Sequence, residues 1–149
     1  MTAAADSADL AVLRSIALRL SQGRSARPPT HVLRSYNPER FRRLLVLAGP
    51  ENAAELLARL AEDIRSARQT AERAAEVRDW PALRGASHVL ISLTGAVGAL
   101  SLQEMSEQLN AATEGEDAAV LPVVMPAFLA ELDALLHIIA AMPPEQGPP

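Results

Sequence analysis

The sequence predicts an all-α protein of one domain. Apolar residues recur every three or four positions, and residues that favour strands never alternate with period two for more than a few positions. Leucine, alanine, glutamate and arginine dominate the composition, as is typical of helices. The chain has 149 residues, of which 49% are hydrophobic, so it is long enough for a single substantial core and leaves little room for a second domain.

Composition also excludes several classes of function. The chain has no cysteine, which removes disulfides, thiolate chemistry and cysteine-based metal sites. All 14 basic residues are arginines, 18 acids outnumber them, and aromatic residues make up only 3% of the chain, so we expect no nucleic-acid partner. We find neither a long uncharged apolar run nor a secretory signal, and therefore expect a cytoplasmic protein without membrane contact.

The first 36 residues are predicted to form a helix over 7–22 and a proline-containing linker over 24–36. Gly23 is the expected stop signal of this helix. Its apolar stripe permits two arrangements, packing against the rest of the chain or forming a homodimer, and we favour a monomer. The stripe consists of Leu10, Leu13, Ile16, Ala17 and Leu20.

The main body is predicted to start at Asn37, which can cap a short helix that has Pro38 in its first turn and ends before Gly49. Its expected core contacts are Phe41, Leu44, Leu45 and Leu47. A long helix then runs from Pro50 to about Arg78. Its expected core stripe is Ala54, Leu57, Leu60, Ala61, Ile64, Ala67, Ala71, Ala74 and Val77.

Three further helices are predicted, over about 81–97, 101–113 and 122–142, with a bend permitted at Gly98. The last helix has two possible starts because Pro122 and Pro126 cannot both occupy its first turn. We favour a start near Pro122 with local distortion. Residues 143–149 are rich in proline and are predicted to be a flexible tail.

The helix over 81–97 carries the candidate site. At 100° per residue, one side is apolar and is expected to face the core, whereas His88 points away from the core. The core side carries Leu83, Ala86, Leu90, Leu93 and Val97. The sector around His88 carries Arg84, Gly85, Ile91, Ser92 and Gly95. The two glycines weaken the helix, so we interpret them as leaving the imidazole open to a partner protein.

This segment resembles the histidine-containing phosphotransfer domain of bacterial multistep phosphorelays. An aromatic turn, Asp79-Trp80, precedes the histidine helix, and Gly98-Ala99 lies ten and eleven residues after His88. The segment continues through Leu102-Gln103-Glu104 to Leu109-Asn110. The resemblance implies that residues 37–142 form a short leading helix followed by an antiparallel four-helix bundle. The extra N-terminal helix precedes this unit.

The resemblance also implies a function. His88 would accept a phosphoryl group from a receiver-domain aspartate of a hybrid histidine kinase and pass it to a response regulator. The chain would be a phosphocarrier without autokinase activity and without a cofactor of its own, because magnesium would belong to the partner receiver. Asn110 would lie near the imidazole, where many members place a glutamine. The docking surface would comprise Arg84, Gly85, Ile91, Ser92 and Gly95.

Two positions depart from the family pattern. Ile91 stands where members commonly have lysine, and Ser92 stands where they commonly have glycine. The missing lysine removes a cation that would attract a phosphoryl group or an acidic receiver, and Arg84 could replace it.

Other interpretations compete at several positions. A helical module that docks on a receiver or kinase and inhibits it without carrying phosphate is the alternative function, and an apolar Ile91 would suit it. Asn110 is equally compatible with simple polarity at a helix end. Incidental or structural roles are expected for His31 and His137, and a packing role for Trp80. The acids over 104–117 are expected to be solvated.

Overall fold

The computed structural model describes residues 32–143, and all the regular structure in this range is helical. The predicted helix over 7–22 and the tail beyond residue 143 lie outside the described residues. We number the α-helices in chain order. They are α1 (Pro38–Ala48), α2 (Pro50–Val77), α3 (Trp80–Ala96), α4 (Leu100–Gly115) and α5 (Leu121–Ala141), with a 3-10 turn (Ala118–Val120) before α5.

The helix boundaries follow the local signals in the sequence. Asn37 caps α1 as predicted, because its side-chain oxygen accepts hydrogen bonds from the amides of Glu39 and Arg40 at 3.1 and 3.4 Å. Asp79 caps α3 in the same way, through a 3.2 Å bond from the amide of Ala82. The favoured start of the last helix is confirmed, since α5 begins one residue before Pro122.

Four of the helices contact one another in a ring. Helix α2 packs against α3, α3 against α4, α4 against α5, and α5 against α2, while α1 packs on α2 and α3. Helices α3 and α4 run in opposite directions, because Arg84 pairs with Glu114 near one end of the contact and Gly95 lies against Gln103 near the other. The ring places the N-terminal half of α3 beside the C-terminal half of α4.

The apolar stripes meet in one core, with some departures from the predicted stripes. Fully buried large side chains come from all five helices, among them Phe41, Ile64, Leu90, Leu102 and Phe128. Leu47 and Val77 were expected to face the core, but they are 77% and 67% exposed. At 100° per residue, Leu47 lies about 120° around α1 from buried Phe41 and Val77 about 120° around α2 from buried Ala71, so each points away from the buried side of its helix. Ala54 is exposed too, and Ala53 is buried instead.

The chain before α1 is held by a polar cluster. Glu131 on α5 is 4% exposed and accepts hydrogen bonds from Nε of Arg34 and Oγ of Ser101, both at 2.6 Å. The Glu131 carboxylate raises the pKa of Arg34, first through this hydrogen bond and then through its charge. The carbonyl of Ser35 accepts bonds from the amides of Leu100 and Ser101, so the last residues of the predicted linker are tied to the start of α4.

The 3-10 turn and α5 together, Ala118–Ala141, are long and apolar enough to cross a membrane, by length and composition alone. Core helices of soluble proteins meet the same criterion. In this fold the helix lies against α2 and α4, and its two acids pair with arginines, Glu131 with Arg34 and Asp133 with Arg68.

Candidate functional site

His88 lies on the exposed side of α3, as the helical pattern predicts. Leu83, Ala86 and Leu90 on the opposite side are buried. Within residues 32–143 the imidazole makes no hydrogen bond or ion pair. An imidazole in this setting has a ring nitrogen lone pair free for a reacting group brought by a partner.

The surface beside His88 is open and partly apolar. A methyl group added at Gly85 would meet no atom within 4 Å, and Ser92 is exposed. Ile91 is half-buried, and Val89 is 45% exposed. The imidazole therefore has small neighbours at Gly85 and Ser92, and a second protein can approach it closely.

Gly95 does not belong to this open surface, and the prediction that it is exposed is wrong. The residue is buried because the side chain of Gln103 lies over it, so a Cβ built there would stand 2.6 Å from Nε2 of Gln103. Its carbonyl oxygen also accepts a 3.0 Å hydrogen bond from the guanidinium of Arg40 on α1. The glycine makes room for α1 and α4 around the end of α3.

Arg84 lies one turn before His88 and is exposed. Its guanidinium is 3.7 Å from a carboxylate oxygen of Glu114 on α4, and both side chains are more than half exposed. An exposed ion pair at this distance contributes little to stability and exchanges easily with other partners. The guanidinium is thus held loosely within reach of the surface around His88.

Asn110 contacts α3 next to His88. Its amide nitrogen donates to Oγ of Ser87 at 3.1 Å and, at 3.4 Å, to the backbone carbonyl oxygen of Arg84. The Ser87 hydroxyl in turn donates to the same Arg84 carbonyl at 3.0 Å. The expected proximity of Asn110 to the histidine helix is found, and its amide nitrogen donates to the Ser87 hydroxyl and the Arg84 carbonyl of α3.

The sequence analysis missed Ser87. It is fully buried, directly precedes His88 and joins α3 to α4 through Asn110. A signal was present, because Ser87 occupies the core-facing sector between Leu83 and Leu90, and a polar residue at such a position requires a hydrogen-bond partner.

The remaining candidates lie elsewhere. His137 is exposed on α5, and His31 is outside the described residues. Trp80 is partly buried and packs against the core, which confirms the predicted packing role. No group of three or more potential metal-ligating side chains occurs between residues 32 and 143.

A depression of about 670 Å³ lies between α4 and the start of α5. Its walls are mainly apolar and include Ala112, Val120 and Val123, with Asp117 as the ionisable group among them. His88 does not line it. The candidate site is therefore an open helix surface, and a reaction there requires a partner surface to exclude water.

Comparison of the chain with protein-family models, curated proteins and solved structures found no match.

Proposed function

We propose that this chain is a histidine phosphotransfer protein in which His88 carries the phosphoryl group. The observation that supports the proposal most directly is an exposed, unpartnered imidazole beside small residues on a helix of an all-helical fold. We interpret the ring of α2, α3, α4 and α5 as an antiparallel four-helix bundle, with α1 as its short leading helix.

The proposed reaction begins with a receiver domain phosphorylated on an aspartate. The lone pair of a neutral His88 ring nitrogen attacks phosphorus, so that an N–P bond forms while the O–P bond of the acyl phosphate breaks. The aspartate leaves as a carboxylate with the bonding electron pair. The other ring nitrogen keeps its proton or releases it to water. Transfer to the next receiver reverses these bond changes.

Transfer of this kind depends on alignment of the reacting atoms and on neutralising charge at the phosphoryl oxygens. The partner receiver would supply magnesium and the phosphoacceptor aspartate. This chain would supply the nucleophile and a docking face, defined here as Gly85, Val89, Ile91 and Ser92. Arg84, only loosely paired with Glu114, would turn toward the phosphoryl group and take the role of the missing lysine.

A relay assay tests the proposal. The purified chain is mixed with a labelled phospho-receiver, magnesium and a second, unlabelled receiver, and the label is followed over time. We expect label to reach the second receiver through the wild-type chain but not through His88→Gln. The matched control is His137→Gln, which removes another exposed histidine and should transfer normally. Equal transfer by His88→Gln would refute the proposal.

The alternative is a docking module that inhibits a receiver or kinase without carrying phosphate. Its specific support is the apolar pair on the docking face, half-buried Ile91 and 45% exposed Val89, where a cation is expected in a carrier. Under this alternative, His88→Gln keeps its inhibitory effect and wild type accepts no label.

A further inference from the structure

We propose that Asn110 acts as a positioning residue for His88 through Ser87, rather than as a ligand of the phosphoryl group. This inference rests on the proposed function, because it assigns Asn110 a part in presenting the histidine to the receiver. It replaces the expectation from family resemblance that Asn110 supports the phosphate itself.

The first step is the hydrogen-bond arrangement around one carbonyl. In an α-helix the amide of each residue bonds to the carbonyl four residues earlier, so the His88 amide is directed at the Arg84 carbonyl. That carbonyl also accepts from the Ser87 hydroxyl at 3.0 Å and from the Asn110 amide at 3.4 Å. Asn110 therefore holds the backbone group to which the nucleophile's own amide is bonded.

The second step concerns the contacts of the Asn110 side-chain amide. A side-chain amide carries two N–H donors on nitrogen and acceptor lone pairs on oxygen. The amide nitrogen lies within hydrogen-bond distance of the Ser87 hydroxyl and the Arg84 carbonyl, so its observed contacts are with α3. A contact between Asn110 and the phosphoryl oxygens would not depend on Ser87, so a double-mutant cycle distinguishes such a contact from positioning.

The third step is the local weakness of α3. Gly85 lies in the same turn, is exposed and has no packing neighbour, so this turn loses helix stability without compensating contact. The bond from Asn110 to the buried Ser87 fastens the turn to α4. Without this bond the turn would move more freely, and the nucleophile would spend less time aligned for attack.

A double-mutant cycle tests the inference on the full chain, using Asn110→Ala, Ser87→Ala and the double variant. We expect each single change to lower the transfer rate at saturating phospho-receiver by about tenfold, with little change in the receiver concentration that gives half-maximal rate. The loss in the double variant should be smaller than the product of the two single losses, because both single changes remove the bond between Asn110 and Ser87. The control is Gln108→Ala, an exposed amide on the same helix.

Two results would overturn the inference. One is a transfer rate for Asn110→Ala equal to that of wild type. The other is a double variant whose transfer rate falls by the product of the two single-variant factors. An independent contact between Asn110 and the phosphoryl group predicts that result.

A second readout separates this inference from the proposed function. If wild type accepts label from no receiver, the proposed function fails, but hydrogen exchange of the His88 amide still reports on the turn. We expect exchange to be about tenfold faster in Asn110→Ala than in Gln108→Ala, while urea unfolding followed by Trp80 fluorescence shows similar global stability. Equal exchange rates in the two variants would refute positioning by Asn110.

Discussion

The backbone amide of Asn37 donates a 2.8 Å hydrogen bond to the carbonyl of Gly98. Asn37 is the cap of α1, and Gly98 lies in the connection between α3 and α4. The guanidinium of Arg40 reinforces this junction by bonding to the carbonyl of Gly95 at 3.0 Å. The start of α1 and the end of the histidine helix are thus joined directly.

Gly98→Ala should destabilise the fold by at least about 2 kcal/mol. Gly98 has a φ of 79°, which is strained for alanine, and the backbone carbonyl of Asn37 occupies the space a Cβ needs. Urea unfolding followed by Trp80 fluorescence measures the loss. Gly115→Ala is the control, because an added Cβ meets no atom within 4 Å there. Equal stability of the two variants would contradict the described junction.

Gly85→Ala should have the opposite effect on stability and should raise it by about 0.5–1 kcal/mol. The residue is helical and exposed, with open space around it. If a bound receiver domain contacts the docking face closely, the added methyl group should also raise the receiver concentration needed for half-maximal transfer. A stabilised variant with unchanged receiver binding would show that Gly85 lies outside the docking face.

Glu131→Ala should cost about 2–3 kcal/mol in the same unfolding experiment. The buried carboxylate accepts two hydrogen bonds of 2.6 Å, from Arg34 and Ser101, and its loss leaves the Ser101 hydroxyl without this acceptor. Glu107→Ala removes an exposed acid from α4 and should cost less than about 0.5 kcal/mol. Similar losses for the two variants would argue against a structural role for the cluster.

Tyr36 should titrate above its ordinary pKa of 10.0, because burial raises the pKa of its phenol. It is the single tyrosine of the chain, so the ultraviolet absorbance of tyrosinate reports on this residue alone. The folded chain holds a proton that the unfolded chain releases more readily. The contribution of Tyr36 to the free energy of unfolding is therefore complete at pH values below its pKa in the unfolded chain. It is lost as the pH rises through its pKa in the folded chain. A midpoint at or below the ordinary value would place Tyr36 in solvent.

The helices could be predicted because their signals are local. Asn37 with Pro38, and Asp79 with Pro81, mark helix starts whatever the rest of the chain does. The side of α3 that carries His88 follows from periodicity alone. The exposure of Leu47 also follows from periodicity, because this residue lies about 120° around α1 from buried Phe41, and the expected core contact was wrong in angle.

The contacts between helices could not be predicted from the sequence. Periodicity places Gly95 near His88 in angle, but the side chains that cover it come from α1 and α4. The bond between Asn110 and Ser87 joins residues 23 positions apart in the chain. A helical pattern states which residues share a face, and it does not state which partner each of them meets.

The central claim is that His88 carries a phosphoryl group. The most direct measurement is mass spectrometry and acid lability of the wild-type chain after incubation with a phosphorylated receiver and magnesium. We predict a single acid-labile phosphate that maps to His88 and is missing from His88→Gln, whose helicity is unchanged by circular dichroism. An acid-stable phosphate on another residue, or no phosphate with receivers that demonstrably bind the chain, would contradict the claim.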